Sequence, residues 1–400
     1  MNAIHERALA AIEACDPALA GIRRAAECIS FPEEKTILHA GPPFRKGSVS
    51  MPIRNSACVA AVYEGWASDF DDAGERIERG EIRLAPAQDV HAMVPLAAVL
   101  SPSMWVQEVK GVHGTGELVA YSPLNGGSGA AMRFGLCSTQ ALEHLHWLNG
   151  DLGGALCDGL KQPIPLVPIA RQALAQGDDC HGRTQAATSI LVDILYERVP
   201  ALRADAACAS FLRDSPSFFL NLWMAACKVM ALAAIFPDSD VITAVGANGV
   251  EFGLQVGGMA GRWWTAPAAP PAGTLQEGYA KADALPAIGD SALVDAFGFG
   301  CMALHHAPAQ RAGLEPFMPD DSRRLGTEIL VGVHRGFGEL ALRTASSARL
   351  IAISGKALPI ALGILDRDGK AGRLGGGVAK VPMEPVRQAV KALGEEVPAI

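Results

Sequence analysis

Apolar residues recur at helical spacing through residues 1–30, with a break expected at Asp16-Pro17. Residues 36–40 read as a short strand that runs into the turn Gly41-Pro42-Pro43, and residues 56–67 as a helix with one apolar face. Residues 104–110 and 117–121 read as strands, with residues 111–116 as a flexible connection. The loop at 122–129 is rich in Gly, Asn and Pro. From residue 139 to about 236 the period is helical and Ala and Leu are abundant, with one interruption at Pro163, Pro165 and Pro168.

Strand signals then return. Residues 240–257 read as a hairpin around Asn248-Gly249, a pair suited to turns in which both central residues take positive φ. Residues 291–305 predict a helix with Asp290 as N-cap. Residues 328–333 predict a strand, 359–364 and 376–381 a strand pair flanking Asp366-Arg367-Asp368-Gly369, and 386–393 a closing helix. The order gives an α/β (α+β type), multi-domain chain. An N-terminal α/β domain with leading helices (1–138) and a C-terminal α/β domain (237–400) enclose a mainly helical middle domain (139–236).

The apolar run 218–236 is only just long enough to span a bilayer, and it carries Asn221 and Lys228. A charge near the middle of a lipid helix is costly, so a buried helix of a soluble protein is expected, with no membrane. With 400 residues, half of them hydrophobic, the chain can fill two or three domain cores. A formal net charge of −8 argues against nucleic acid as a partner. Nine cysteines, an odd number with no CxxC pair, suit reduced thiols in the cytoplasm. Residues 1–15 contain Glu6 and Glu13 and no apolar core, so no signal peptide is expected.

Candidate chemistry sits at a few breaks in this pattern. The loop Leu124-Asn125-Gly126-Gly127-Ser128-Gly129 follows a strand, so its backbone N–H groups could cradle an anion, or it could be a plain turn. Arg54, Arg133, Arg183 and Arg262 each lie in or beside Gly-, Asn- or Thr-rich segments, and a guanidinium fork matches a carboxylate or phosphate. Asn221 and Lys228 are two helical turns apart and share a face; Lys228 either snorkels to water, pairs with an acid, or anchors an anion. In Gly177-Asp178-Asp179-Cys180-His181-Gly182-Arg183 one Asp is expected to cap the next helix, while His181 or Arg183 could act on substrate. The spacing fits no standard zinc pattern, and no metal or cofactor is expected. Gly289-Asp290-Ser291 is half of a nucleophile elbow, which leaves Asp290 as a cap or as a general base. Glu251, just past the Asn248-Gly249 turn, is the other candidate carboxylate. The candidate set is therefore His181, Asp290 and Glu251 for acid–base work. Arg54, Asn125, Gly127, Arg183, Asn221, Lys228, Asn248, Arg262 and Ser291 are the candidates for holding a small anion.

Seven segments in order carry a resemblance. They are 39–43 (HAGPP), 100–104 (LSPSM), 177–183 (GDDCHGR), 218–228 (FFLNLWMAACK), 248–253 (NGVEFG), 262–267 (RWWTAP) and 288–292 (IGDSA). Together they resemble the family catalogued as domain of unknown function 1116, over residues 36–385. That family includes a subunit of the three-component oxamate carbamoyltransferase of purine-nitrogen fermentation. The resemblance implies an α/β fold with a helical domain and a homo- or hetero-oligomer. It also implies partner subunits including an acyl-CoA-synthetase-like protein, and carbamoyl transfer between oxamate, or a related amide or ureido acid, and phosphate to give carbamoyl phosphate. A stand-alone amidohydrolase or lyase and a non-catalytic scaffold subunit are the other readings. All enzymatic readings require the cationic and amide groups to converge on one pocket.

Overall fold

The computed structural model describes residues 2–394 apart from Thr115, Ser128, Asp320 and Asp321. Thr115 of the 111–116 connection and Ser128 of the glycine-rich loop thus lie outside the described residues. The architecture is mixed α/β, with several small, mainly antiparallel sheets among helices.

The first helix, Ala3–Ala14, is capped by Asn2, whose side chain accepts from the His5 amide at 2.8 Å. The helical reading of residues 18–24 is wrong: Ala18–Arg24 is strand β1. Asp16 (φ 38°) and Pro17 stop the helix, and a long antiparallel neighbour then supplies ladder partners, which overrides local helix preference. Four strands make this sheet, in the order β6 (Gly116–Pro123), β5 (Trp105–His113), β1, β7 (Ile164–Pro165). The two-residue β7 is the only strand within residues 139–236 among the described residues; the rest of that segment is helical or loop. A small sheet of β3 (Arg83–Pro86), β2 (Thr36–His39) and β4 (Val99–Leu100) lies under the helix Met51–Tyr63.

The 240–257 hairpin forms as β8 (Ile242–Asn248) and β9 (Glu251–Val256), flanked by β10 (Trp264–Pro267) and β12 (Ile288–Gly289). Only Gly249 takes positive φ (82°). Asn248 stays in the strand, and its side-chain oxygen accepts from the Val250 and Glu251 amides at 3.0 and 2.8 Å, which closes the turn. The expected helix over 291–305 is cut short to Ala292–Ala296, because Gly298 (φ 93°) and Gly300 (φ 55°) turn the chain into a 3₁₀ turn at Gly300–Ala303. Next come β13 (Leu330–Val333), entered from the helix Ser322–Ile329, and its partner β14 (Arg343–Ser346). The last sheet pairs β15 (Pro359–Leu365) with β16 (Arg373–Lys380), and β11 (Ala272–Leu275) covers the other edge of β16.

The helix Phe218–Ala233 is the centre of the molecule. All its residues but Leu220 are buried, and it packs on β5, β6, β8 and the helices Ala3–Ala14 and Ala292–Ala296. Trp223 stacks on Phe219 (5.6 Å between centroids) and meets Phe299 edge-on (4.9 Å). The surrounding core runs from Ala8 to Val390, and a second core lies beneath Met51–Tyr63. Among the described residues no single helix is long and apolar enough to cross a membrane. Lys228 does not snorkel. It is 3% exposed, and its Nζ donates to the Thr243 carbonyl at 3.1 Å.

Truncating the aromatic hub would leave a large void. Trp223→Ala is expected to cost about 3–5 kcal/mol in urea unfolding, and Trp223→Phe distinctly less.

Candidate functional site

The loop 177–183 is held by its own acids. Thr184 holds the N-cap position of the helix Gln185–Arg198 without a side-chain capping bond, and Asp178 supplies the acceptor from outside it: its Oδ2 accepts from the Ala187 amide at 2.9 Å in the first turn. Asp179 Oδ1 accepts from the His181 and Arg183 amides at 2.7 and 3.0 Å. Burial pushes the Asp179 carboxyl up to about 6, against these two hydrogen bonds. This clamp, with Cys180 at positive φ (60°), sets the direction of His181. The imidazole Nδ1 bonds to Asp295 Oδ2. Asp295 is fully buried, and its Oδ1 also accepts from the Cys301 and Ala361 amides at 2.8 and 3.2 Å. Burial alone would pull the His181 imidazole down; Asp295, and then Asp179, outweigh it and hold the ring above the usual histidine value.

His181 borders a cavity of about 150 Å³ that is also lined by Asn125, Arg133, Asn221, Ser291 and Arg373. Arg133 stands over the Phe134 ring at 4.4 Å and donates to Asn125 Oδ1 at 3.2 Å and to the Gly127 carbonyl. Burial, and then the charge of Arg373, push its guanidinium down to about 10. Arg373 donates from Nε to the Gly375 carbonyl at 3.0 Å. It lies along β15 and β16 where Gly363 and Gly376 leave room: a Cβ on either would sit 3.5 or 3.3 Å from the guanidinium. Neither arginine has a carboxylate partner among the described residues, whereas Arg183 pairs with Asp178 (3.5 Å) and Arg54 with Glu78 (2.7 Å). Asn221 reaches the same wall, with Nδ2 donating to the Asn125 carbonyl at 2.8 Å.

Asp290 is not a helix cap. Its fully buried carboxylate turns away from the helix and accepts from the Gly41 amide (2.9 Å), Gln88 Nε2 (2.7 Å) and the Val94 amide (3.1 Å). The Asp290 amide donates back to the Val94 carbonyl at 3.1 Å. These bonds tie the turn bearing Ser291 to the chain just before Pro95 and Leu96, which also line the cavity. Burial pushes the Asp290 carboxyl up to about 7, against those donors and Lys228; burial also brings Lys228 down to about 8, against Asp290 and Asp89.

The structure thus gathers Asn125, His181, Asn221 and Ser291, with Asp290 and Lys228 behind them. The other candidates are elsewhere. Glu251 pairs with Arg45 at 2.8 Å and accepts from Thr265. Asn248 donates to the Pro42 carbonyl at 2.9 Å. Arg262 lies over the Trp264 ring at 5.1 Å. Arg54, in the first turn of Met51–Tyr63, is taken up by Glu78, Arg183 by Asp178, and neither lines the cavity. The Gly127 amide is taken by Ser215 Oγ at 2.8 Å, so this residue serves the site by its carbonyl, which holds Arg133. Sequence reasoning missed Arg373 and Asp295. The signal for Arg373 was Gly376 in the strand just after it, Gly375 and Gly377 being needed instead for the close approach of β11; for Asp295 it was a lone acid in the apolar run Ala292-Leu293-Val294-Asp295-Ala296-Phe297. A larger cavity of about 440 Å³, bordered by Met302, His305 and Arg343, contains none of the candidate residues.

Residues 82–291 match the family described as oxamate carbamoyltransferase subunit AllG. The curated protein of that name from Escherichia coli (strain K12) is 31% identical over 389 residues, which covers 91% of this chain and 90% of the relative. The chain belongs to the AllG family. A second relative from the same organism, the uncharacterized protein YahG, is 31% identical over 403 residues, covering 97% of this chain and 85% of YahG. A crystal structure of a conserved protein of unknown function from Enterococcus faecalis V583 superposes with a TM-score of 0.91 at 28% identity, over 99% of this chain and 98% of the other. The stretch that matches the AllG family contains Asn125, Arg133, His181, Asn221 and Ser291; Asp295 and Arg373 follow it.

Two cations without acidic partners should make this cavity an anion site. Arg133→Ala and Arg373→Ala are each expected to weaken the binding of a small carboxylate, measured by calorimetry, by about 1.5–3 kcal/mol, the worth of a charged hydrogen bond. Arg54→Ala should leave it unchanged.

Proposed function

We propose that this chain is a subunit of a carbamoyltransferase that works on oxamate, or a closely related small amide or ureido acid, together with phosphate. The observation that carries this reading is the pair Arg133 and Arg373, facing one small cavity with His181 and the side-chain amides Asn125 and Asn221. The name of the AllG relative supplies the reaction class. At about 150 Å³ the cavity has the volume of about five waters at ~30 Å³ each. That suits an oxamate-sized acid, whereas drug-sized ligands occupy roughly 300–1,000 Å³. In this reading nucleotide or coenzyme A chemistry is not carried out in this cavity and is assigned to partner subunits, including the acyl-CoA-synthetase-like companion that the family resemblance implies. Nine free cysteines suit a cytoplasmic setting.

In the direction of carbamoyl phosphate, a phosphate oxygen attacks the carbamoyl carbon of an N-carbamoylated oxamate. The new C–O bond forms, the C–N bond breaks, and the leaving nitrogen takes up one proton to give oxamate. Arg133 and Arg373 hold the carboxylate and the phosphate in a shared field and offset the charge that builds on the tetrahedral carbon. His181, kept protonated more readily than a free imidazole, delivers the proton to the leaving nitrogen. Transfer is direct. Cys180 is a poor nucleophile because burial raises its thiol well above the ordinary value and its Sγ donates to the Ala170 carbonyl at 3.7 Å. Ser291 Oγ makes no hydrogen bond to His181 among the described residues, so no nucleophile–base pair is preformed there. Asp290 shapes the Ser291 turn, and Glu251, paired with Arg45, takes no part.

The test is a carbamoyl phosphate assay on the chain co-purified with its neighbouring subunits. His181→Gln is expected to lower kcat by about 10²–10⁴-fold, with a smaller effect on KM. An unchanged rate, or hydrolysis of the ureido acid by the isolated chain, would overturn the reading.

A further inference from the structure

We infer that Asp295 is a positioning residue for this reaction: it holds the His181 ring with Nδ1 engaged, leaves Nε2 to serve the cavity, and anchors the Ala361 backbone of the cavity wall in the same act. The inference rests on the reading of His181 given above.

Three donors from three distant segments meet on this one carboxylate: His181 Nδ1, the Cys301 amide at 2.8 Å and the Ala361 amide at 3.2 Å. Ala361 itself lines the cavity. Asp295 has no Lys or Arg partner among the described residues, so the His181 ring is the group that can balance its buried charge. An ionised carboxylate only accepts hydrogen bonds, so it selects the tautomer that carries a proton on Nδ1. The neutral ring then has its acceptor at Nε2, the nitrogen not engaged by Asp295. Loss of a proton from the charged ring to substrate therefore takes place at Nε2, while Nδ1–H stays with Asp295.

The other charged groups around His181 do not replace this function. Asp179 faces the backbone amide of His181 and clamps the loop. Arg133 and Arg373 line the same cavity and carry no acceptor for Nδ1–H. The Cys180 and Cys301 thiols are raised well above their ordinary values by burial and stay neutral. Asp295 is thus the group whose removal both frees the ring and lowers its proton affinity.

Asp295→Asn separates positioning from packing. The Asn Oδ1 still accepts from the Cys301 and Ala361 amides, so the Ala361 wall keeps its anchor. Its Nδ2, however, presents a donor to His181 Nδ1 and forces the opposite tautomer. In the complex with its partner subunits we expect kcat to fall by about 10²–10⁴-fold, with KM within about threefold of wild type. The alkaline limb of the kcat profile, set by loss of the His181 proton, should move to lower pH. Independently of activity, a ¹³C/¹⁵N NMR titration of His181 in the full chain should show a lower apparent pKa and a change of the neutral tautomer in Asp295→Asn. If His181 titrates identically in both proteins, or kcat and its pH profile are unchanged while only Tm falls, Asp295 is a packing residue and the inference fails. Should the wild-type complex transfer no carbamoyl group, the NMR titration still decides the role of Asp295, and the two failures remain distinct.

Discussion

Two guanidinium groups that face one small cavity repel each other, and burial of Arg133 adds to the cost. The fold keeps them there nonetheless. Arg133 is propped by Asn125 and the Gly127 carbonyl, and Arg373 is laid over strand glycines that leave space for it. Arg373 keeps contact with solvent, which screens part of the repulsion, and the cavity's charge has no acidic counterpart among the described residues, so the site suits a small anion. Much of the remaining architecture can be understood as the means of holding that arrangement.

The central helix Phe218–Ala233 links the parts. At one end Asn221 bonds to the loop that supports Arg133; two turns later Lys228 is buried against Thr243, within the field of Asp290. Asp290 in turn joins the Gly41, Gln88 and Val94 segments to the turn that presents Ser291. Asp295 gathers His181 and Ala361, which line the cavity, together with Cys301 behind them. Asp290 and Asp295 each accept from chain segments far apart in sequence, so removing either would loosen more than one segment at once. A packed frame of this kind keeps reacting groups in place without moving parts.

Much of the chain's regular structure was legible from periodicity. The buried helix at 218–233, the hairpin on either side of Asn248-Gly249 and the closing strand pair with its helix all follow from local pattern. Residues 18–24 were not legible, because their strand state depends on pairing with β5, about ninety residues away. Part of the site was legible for a different reason: polar residues in apolar or glycine-rich surroundings, such as Asn221, His181 and Ser291, must be satisfied or used. The pattern could not separate Arg133 from Arg54, which sit in similar local sequence. Only the tertiary fold supplies Glu78 to one and an acid-free cavity to the other. Asp295 and Arg373 entered late because their partners are distant in sequence, and a lone acid or a glycine triplet reads first as packing.

The most direct measurement of the central claim is a crystal structure of the chain grown with oxamate and phosphate. The account predicts an anion bound between Arg133 and Arg373, with an oxygen or nitrogen of the ligand within hydrogen-bonding reach of His181 Nε2. Both ligands found only in the larger cavity near Arg343, with the Arg133–Arg373 cavity holding water alone, would contradict it.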